Sequence, residues 1–195
     1  MTSTDADSKA ALRREALDRR RALGADVRLA FCQRMVEEGL RLARERRARF
    51  VSAFYPIRDE PDTLPLLNAL AGDGFATALP VVVDRRSPLI FRLWRPGDPT
   101  RAGQMAIPEP LEAASPVDPE LLFVPLACFD RAGRRIGYGA GHYDRSLACL
   151  RQKGAAYAVG VAYGVCEVAK APYEAHDQYL DAIVTERETI FFRER

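Results

Sequence analysis

The chain has 195 residues, a formal net charge of +2, 48% hydrophobic and 29% charged residues, which suits one substantial core and excludes a disordered or fibrous chain. So small a net charge also excludes a nucleic-acid footprint spread over the whole surface. The four cysteines, Cys32, Cys128, Cys149 and Cys166, form no C-x-x-C pair, so reduced thiols in a cytoplasmic protein are expected, mostly as core fillers. No apolar run approaches the roughly 20 residues that span a bilayer, and neither a membrane nor nucleic acid is expected as a partner.

In chain order, residues 1–7 are small and acidic and read as a flexible tail, leaving 8–195 as a single domain. Ser8 is placed to cap a first helix that runs to Leu23 and stops at Gly24. Lys9 and Arg13 are four apart and share one face of it; with Arg14, Arg19, Arg20 and Arg21 nearby, composition alone favours a solvated basic face. A second helix from Asp26 is expected to bury Leu29, Cys32, Val36, Leu40 and Ala43, which recur at spacings of three and four. Phe50 to Pro56 reads as the first core strand. After it, Asp62 and Thr63 are natural caps for the helix beginning at Leu64, whereas Glu60 lies outside the cap at a strand end, where open α/β sheets gather ligand-binding groups.

Ala76 to Val83 and Leu89 to Arg95 read as antiparallel neighbours across a polar turn. Trp94 suits either the core or the wall of a pocket for a flat heterocycle. Pro96 to Pro119 is expected as a long ordered loop. Leu121 to Leu126 is a buried-type strand, followed by FDRAGRRIGYGAGHYDR at Phe129 to Arg145. Gly137, Gly139 and Gly141 fall at every second position there, before a helix whose N-terminus adds further N–H donors, so the loop is suited to an anion. It matches neither G-x-G-x-x-G nor G-x-x-x-x-G-K-[ST], and a plain surface turn is the competing reading. Strands at 156–163, 183–185 and 190–192 complete an alternation that predicts an α/β fold, a mixed, largely parallel sheet with helices on both faces, a Rossmann-like three-layer sandwich. HDQYLD contributes His176, Asp177 and Asp181, from which a second carboxylate could join Asp144 at a hydrated divalent cation.

These segments together resemble the 5-formyltetrahydrofolate cyclo-ligase family. The resemblance rests on K-x-x-x-R at Lys9 and Arg13, E-x-D-T from Glu60, W-x-P-G-D from Trp94, I-P-E-P from Ile107, the glycine loop, and D-x-I-V-T-E from Asp181. It implies ATP-driven closure of 5-formyltetrahydrofolate to 5,10-methenyltetrahydrofolate with release of ADP and phosphate, by a monomer using Mg²⁺. A non-catalytic nucleotide or folate binder is the alternative. By the same resemblance, Lys9, Arg13 and Arg135 neutralise the phosphates of ATP, and Gly137, Gly139, Ala140, Gly141, His142 and Tyr143 cradle them. Glu60, Trp94, Tyr138 and His142 serve the folate, Arg135 and Tyr143 act in catalysis, and Asp144 and Asp181 hold the metal. The chain has Gly141-His142-Tyr143-Asp144 where the family commonly reads G-Y-Y-D.

Overall fold

The computed structural model describes residues 3–154 and 156–192. Of the expected tail and domain limits, residues 1–2 and 193–195 lie outside the described residues. Helix α1 spans Ser3–Arg21 and so starts five residues before the expected cap at Ser8. Helix α2 covers Ala25–Glu45, β1 Phe50–Ser52, α3 Leu64–Gly72, β2 Ala76–Val81 and β3 Ile90–Leu93. The expected loop after Trp94 is instead structured: β4 (Thr100–Ala102) and β5 (Pro108–Pro110) form a separate antiparallel pair, and β6 (Pro116–Val117) borders the main sheet. Their prolines suit short edge strands, where a missing N–H costs no ladder bond. Then come β7 (Leu121–Pro125), the small hairpin β8 (Cys128–Phe129) and β9 (Arg135–Ile136), α4 (His142–Lys153), β10 (Tyr157–Val161), β11 (Ala182–Val184) and β12 (Thr189–Phe191).

The main sheet has the order β12-β11-β10-β7-β1-β2-β3-β6. Its five central strands, β11, β10, β7, β1 and β2, are parallel. The outer β3, β6 and β12 are antiparallel to their neighbours, including the expected pairing of β2 with β3. From β1 the chain crosses through α3 to β2 on one side; from β7 it crosses through α4 to β10 on the other. Right-handed crossovers running in opposite directions place α3 and α4 on opposite faces and open a crevice beyond the C-terminal ends of β1 and β7.

Both sheet faces feed one core built from Val51, Leu79, Leu121, Phe123, Val159 and Ile183, among others. On α2 the buried stripe is Phe31, Met35, Gly39, Leu42 and Ala43; of the expected stripe Ala43 is buried and Val36 and Leu40 pack partly buried against the core, but Leu29 is 62% exposed. The reason is α3: a Cβ on Gly39 would come 2.3 Å from a methyl of Leu66, so the glycine lets the two helices approach and rotates the stripe. A second, smaller cluster joins Ala16 and Leu12 of α1 to Cys128, Ile136 and Ala171. That cluster seats α1 on the β8–β9 hairpin and thereby brings the first helix to the glycine loop.

Candidate active site at the sheet switch point

The loop after β1 carries Glu60, and the segment after β7 carries β9 and the glycine loop, so the two expected halves of the site meet where the strand order reverses. Seating α1 turns Lys9, Arg13, Ala16 and Arg20 inward, a spacing of four, three and four that marks one helical face. On this side the basic face therefore makes contacts within the protein instead of facing solvent. Arg13 donates from Nε to the Gly137 carbonyl at 2.7 Å. Lys9 donates from Nζ to Glu174 at 2.9 Å and Asp177 at 2.8 Å. Burial pulls the Lys9 pKa down, but the hydrogen bonds and charges of Asp177 and Glu174 outweigh it and leave it raised.

Arg135 is almost fully buried. Its guanidinium donates to the Gln178 carbonyl and, at 2.7 Å, to Asp144 Oδ1, which also accepts the Gln178 N–H at 3.0 Å. Burial pushes the Arg135 pKa down, against the opposing fields of Asp144 and Asp177. Those two carboxylates thus face one cation.

On the opposite wall Glu60 is 9% exposed and accepts the Ile57 N–H at 3.0 Å. Burial raises its pKa, opposed by hydrogen bonding to Tyr138 and by the charge of Arg20. Tyr138 keeps 45% of its surface exposed, yet its hydroxyl is tucked inward and accepts from Arg20 at 2.8 Å. Arg20, 4% exposed, also donates to Asp59 at 2.7 Å, which corrects its reading as part of a solvated face. Tyr143 opens α4 between the two walls. Its hydroxyl is buried and, among the described residues, makes no hydrogen bond; burial and the nearby charge of Glu60 raise its pKa, against Arg135. A buried hydroxyl left without a partner is uncommon and expensive, and this one lies in the field of a residue from each wall.

Within the glycine loop, Gly139 (φ +100°) and Gly141 (φ +66°) occupy left-handed backbone that other residues resist. Gly137 does not, and open space surrounds it. Gly141 is the N-cap of α4 and offers no side-chain cap, so the first-turn N–H groups remain available to an anion.

The sequence of the 5-formyltetrahydrofolate cyclo-ligase family matches residues 5–186 of this chain. The chain belongs to that family. It is 31% identical over 150 residues to 5-formyltetrahydrofolate cyclo-ligase of Haemophilus influenzae, covering 74% of this chain and 80% of that one. It is 29% identical over 193 residues to the Mycolicibacterium smegmatis cyclo-ligase, covering 94% and 96%. The fold is similar to that of Aquifex aeolicus 5,10-methenyltetrahydrofolate synthetase, with a TM-score of 0.79 at 28% identity over 96% of this chain and 94% of that one.

Against the expectations for a cyclo-ligase, Lys9, Arg13, Arg135, Tyr138, Gly139, Ala140, Gly141, Tyr143 and Asp144 gather in or around one loop, and Glu60 comes to it beside Tyr138. Trp94 and Asp181 are engaged in contacts of their own. Trp94 is buried in the main core, its indole N–H bonded to the Asp98 carbonyl at 3.1 Å and its ring set edge-on to Tyr55. Asp181 sits at the start of β11, where it accepts from Arg151 and the Ala158 N–H at 2.8 and 2.7 Å. Asp181 Oδ2 is thus taken up by Arg151 and the Ala158 N–H, whereas Asp144 is held by Arg135 and the Gln178 N–H, so the two aspartates have different partners. His142 turns its Nδ1 toward the Ser87 carbonyl (3.3 Å) and Arg145 (3.2 Å). Sequence reasoning missed Arg20 and Arg145. For Arg20 the signal existed, since it continues the Lys9–Arg13–Ala16 face.

Burial pushes the Cys128 thiol up to about 12 and Cys166 up to about 11, as suits core thiols and not nucleophiles. No helix is long and apolar enough to cross a membrane among the described residues.

Proposed function

We propose that this chain catalyses the ATP-dependent ring closure of 5-formyltetrahydrofolate to 5,10-methenyltetrahydrofolate, with release of ADP and phosphate. The observation that carries the reading is the unpartnered Tyr143 hydroxyl, buried between a wall of phosphate-type cations and a wall bearing a buried carboxyl. In the reaction the formyl oxygen attacks the γ-phosphorus and the bond to the ADP oxygen breaks. N10 then adds to the activated formyl carbon and loses its proton to the departing phosphate or to water, and the C–O bond breaks to release phosphate and leave the methenyl cation.

Lys9, Arg13 and Arg135 offset the charge that spreads over the transferred phosphoryl group, work that depends on position and electrostatics and needs no covalent enzyme intermediate. The N–H groups of Gly139 to Tyr143 take phosphate oxygens. Glu60 and Tyr138 hold the polar head of the folate, and Tyr143 donates to oxygen at the junction. We take the working unit to be a monomer.

A magnesium ion fits the donor set. Among the described residues both hydrogen bonds of Asp144 go to Oδ1 and none to Oδ2, and Asp177 acts electrostatically on the same arginine; one or two carboxylates plus phosphate oxygens suffice for Mg²⁺. We place Asp144 and Asp177, in preference to Asp181, at that ion, which when bound adds charge neutralisation at the phosphates.

The test is to mix the protein with 5-formyltetrahydrofolate and Mg·ATP, following methenyl product by absorbance and ADP in parallel. Stoichiometric product and ADP are expected. Binding of either ligand without ADP release would instead mark a non-catalytic binder.

A further inference from the structure

Arg145 reaches out of α4 to three places at once. Its Nη2 donates to the Ala140 carbonyl at 2.8 Å and the Arg85 carbonyl at 3.1 Å, and lies 3.2 Å from His142 Nδ1; its Nε donates to the Ser87 carbonyl at 3.3 Å. The turn it grips, Asp84 to Pro88 between β2 and β3, is already closed on itself. Asp84 accepts the N–H groups of Arg86 and Ser87 at 2.7 and 2.8 Å, and Ser87 Oγ donates to its other oxygen. Asp84 also feels the charge of Arg145. Beneath, buried Ser146 accepts the Leu89 N–H at 2.8 Å and donates to the His142 carbonyl at 2.7 Å. A compact turn from another part of the sheet is thus fastened across the glycine loop.

We infer that Arg145, with His142, is a positioning residue: it straps the Asp84–Pro88 turn to the glycine loop and so presets the N–H groups that receive phosphate. The physical reason is the rigidity of the peptide unit. Holding the Ala140 carbonyl fixes the Gly141 N–H on the opposite side of the same plane, just as Arg13 fixes the Tyr138 N–H through the Gly137 carbonyl. Without such ties a loop of three glycines has many accessible conformations and must lose that entropy on binding. Gly141 completes the fit, since a Cβ there would lie 2.8 Å from Arg145 Nη1. His142 takes part because, with its proton on Nδ1, it donates to the Ser87 carbonyl at 3.3 Å and so adds a second tie to the same turn beside Arg145. A phenol has no ring nitrogen to offer there, which gives this chain's departure from G-Y-Y-D a role.

The inference rests on the cyclo-ligase reading for its turnover arm only. Trypsin treatment of the ligand-free folded protein, with cleavage after Arg85 and Arg86 followed by mass spectrometry, reads the strap directly; both arginines are exposed. Arg145→Ala is expected to speed that cleavage by about tenfold and to raise KM for ATP by about tenfold with kcat within about threefold of wild type. His142→Phe moves both in the same direction by less, and the double variant does no worse than Arg145→Ala alone, since the two act as one unit. Asp84→Ala loosens the turn without touching the cations and serves if Arg145→Ala does not fold; both readouts shift the same way. Wild-type cleavage in Arg145→Ala and Asp84→Ala, or faster cleavage with unchanged KM for ATP, overturns the inference. Should the wild-type chain turn over no substrate, the calorimetric dissociation constant for ATP replaces KM, so failure of the activity and failure of the strap remain distinct.

Discussion

Replacing Tyr143 by phenylalanine removes one oxygen and leaves the ring in place, so the two proposed roles of the hydroxyl are separated without opening a large cavity. In the free protein that oxygen is buried and makes no hydrogen bond among the described residues. Leaving such a group unpaired costs about 1–3 kcal/mol. The lower end applies here, because Glu60 and Arg135 lie close enough to act on it electrostatically. Tyr143→Phe should therefore raise the unfolding free energy by about 1 kcal/mol, a rise in Tm of about 2–4 °C for a chain of this size. In the reaction the same oxygen acquires a partner, and losing one transition-state donor costs about 10²–10³ in rate. Calorimetry and the methenyl absorbance assay on one preparation measure both. A more stable and much slower enzyme is expected; a lower Tm would show that the hydroxyl is satisfied in the free protein, and undiminished kcat that it does not serve the reaction.

Glu60 links the site to pH. With its folded pKa raised above the ordinary 4.5, the folded state holds more protons than the unfolded one between those values, so stability falls as pH rises from about 4.5 through the folded pKa. Glu60→Gln should flatten that fall in Tm-versus-pH scans, stabilising the protein at pH 7 more than at pH 4, while weakening folate binding. In the glycine loop, Gly137→Ala should stay within about 0.5 kcal/mol of wild type in denaturant unfolding, as an open surface site does. Gly139→Ala should lose about 1–2 kcal/mol for holding a Cβ at positive φ. Asp144→Asn should raise the Mg²⁺ concentration needed for half-maximal turnover, whereas Asp181→Asn should leave that concentration unchanged and lower Tm, because Arg151 loses its partner. An equal Mg²⁺ response in both variants would return Asp181 to the metal.

Much of this architecture was legible because the relevant signals are local. Apolar runs such as LLFVPL declare buried strands, glycines at every second position declare a loop of unusual backbone, and strand-helix alternation limits the topologies. The failures share one cause. The α2 stripe was misplaced because Leu29 and Phe31 are equally apolar and only the approach of Leu66 to Gly39 selects between them. Prolines between Pro96 and Pro119 concealed the β4–β5 pair and β6, since pairing depends on a partner elsewhere in the chain. Arg20 was read as solvated because its partners, Asp59 and Tyr138, lie 39 and 118 residues away.

The sequence by itself determined the family, the glycine loop, the cations Lys9, Arg13 and Arg135, and the carboxyl Glu60, since each is carried by residue type at short spacing. Tertiary structure alone decided which of them meet. The reversal of strand order at β1 and β7 brought Glu60 to the loop, the small apolar cluster under α1 delivered Lys9 and Arg13, and α4 carried Tyr143 to the junction while its Arg151 paired with Asp181. Spacing along a chain fixes a face or a turn; distance between faces is set by packing, which no short motif encodes.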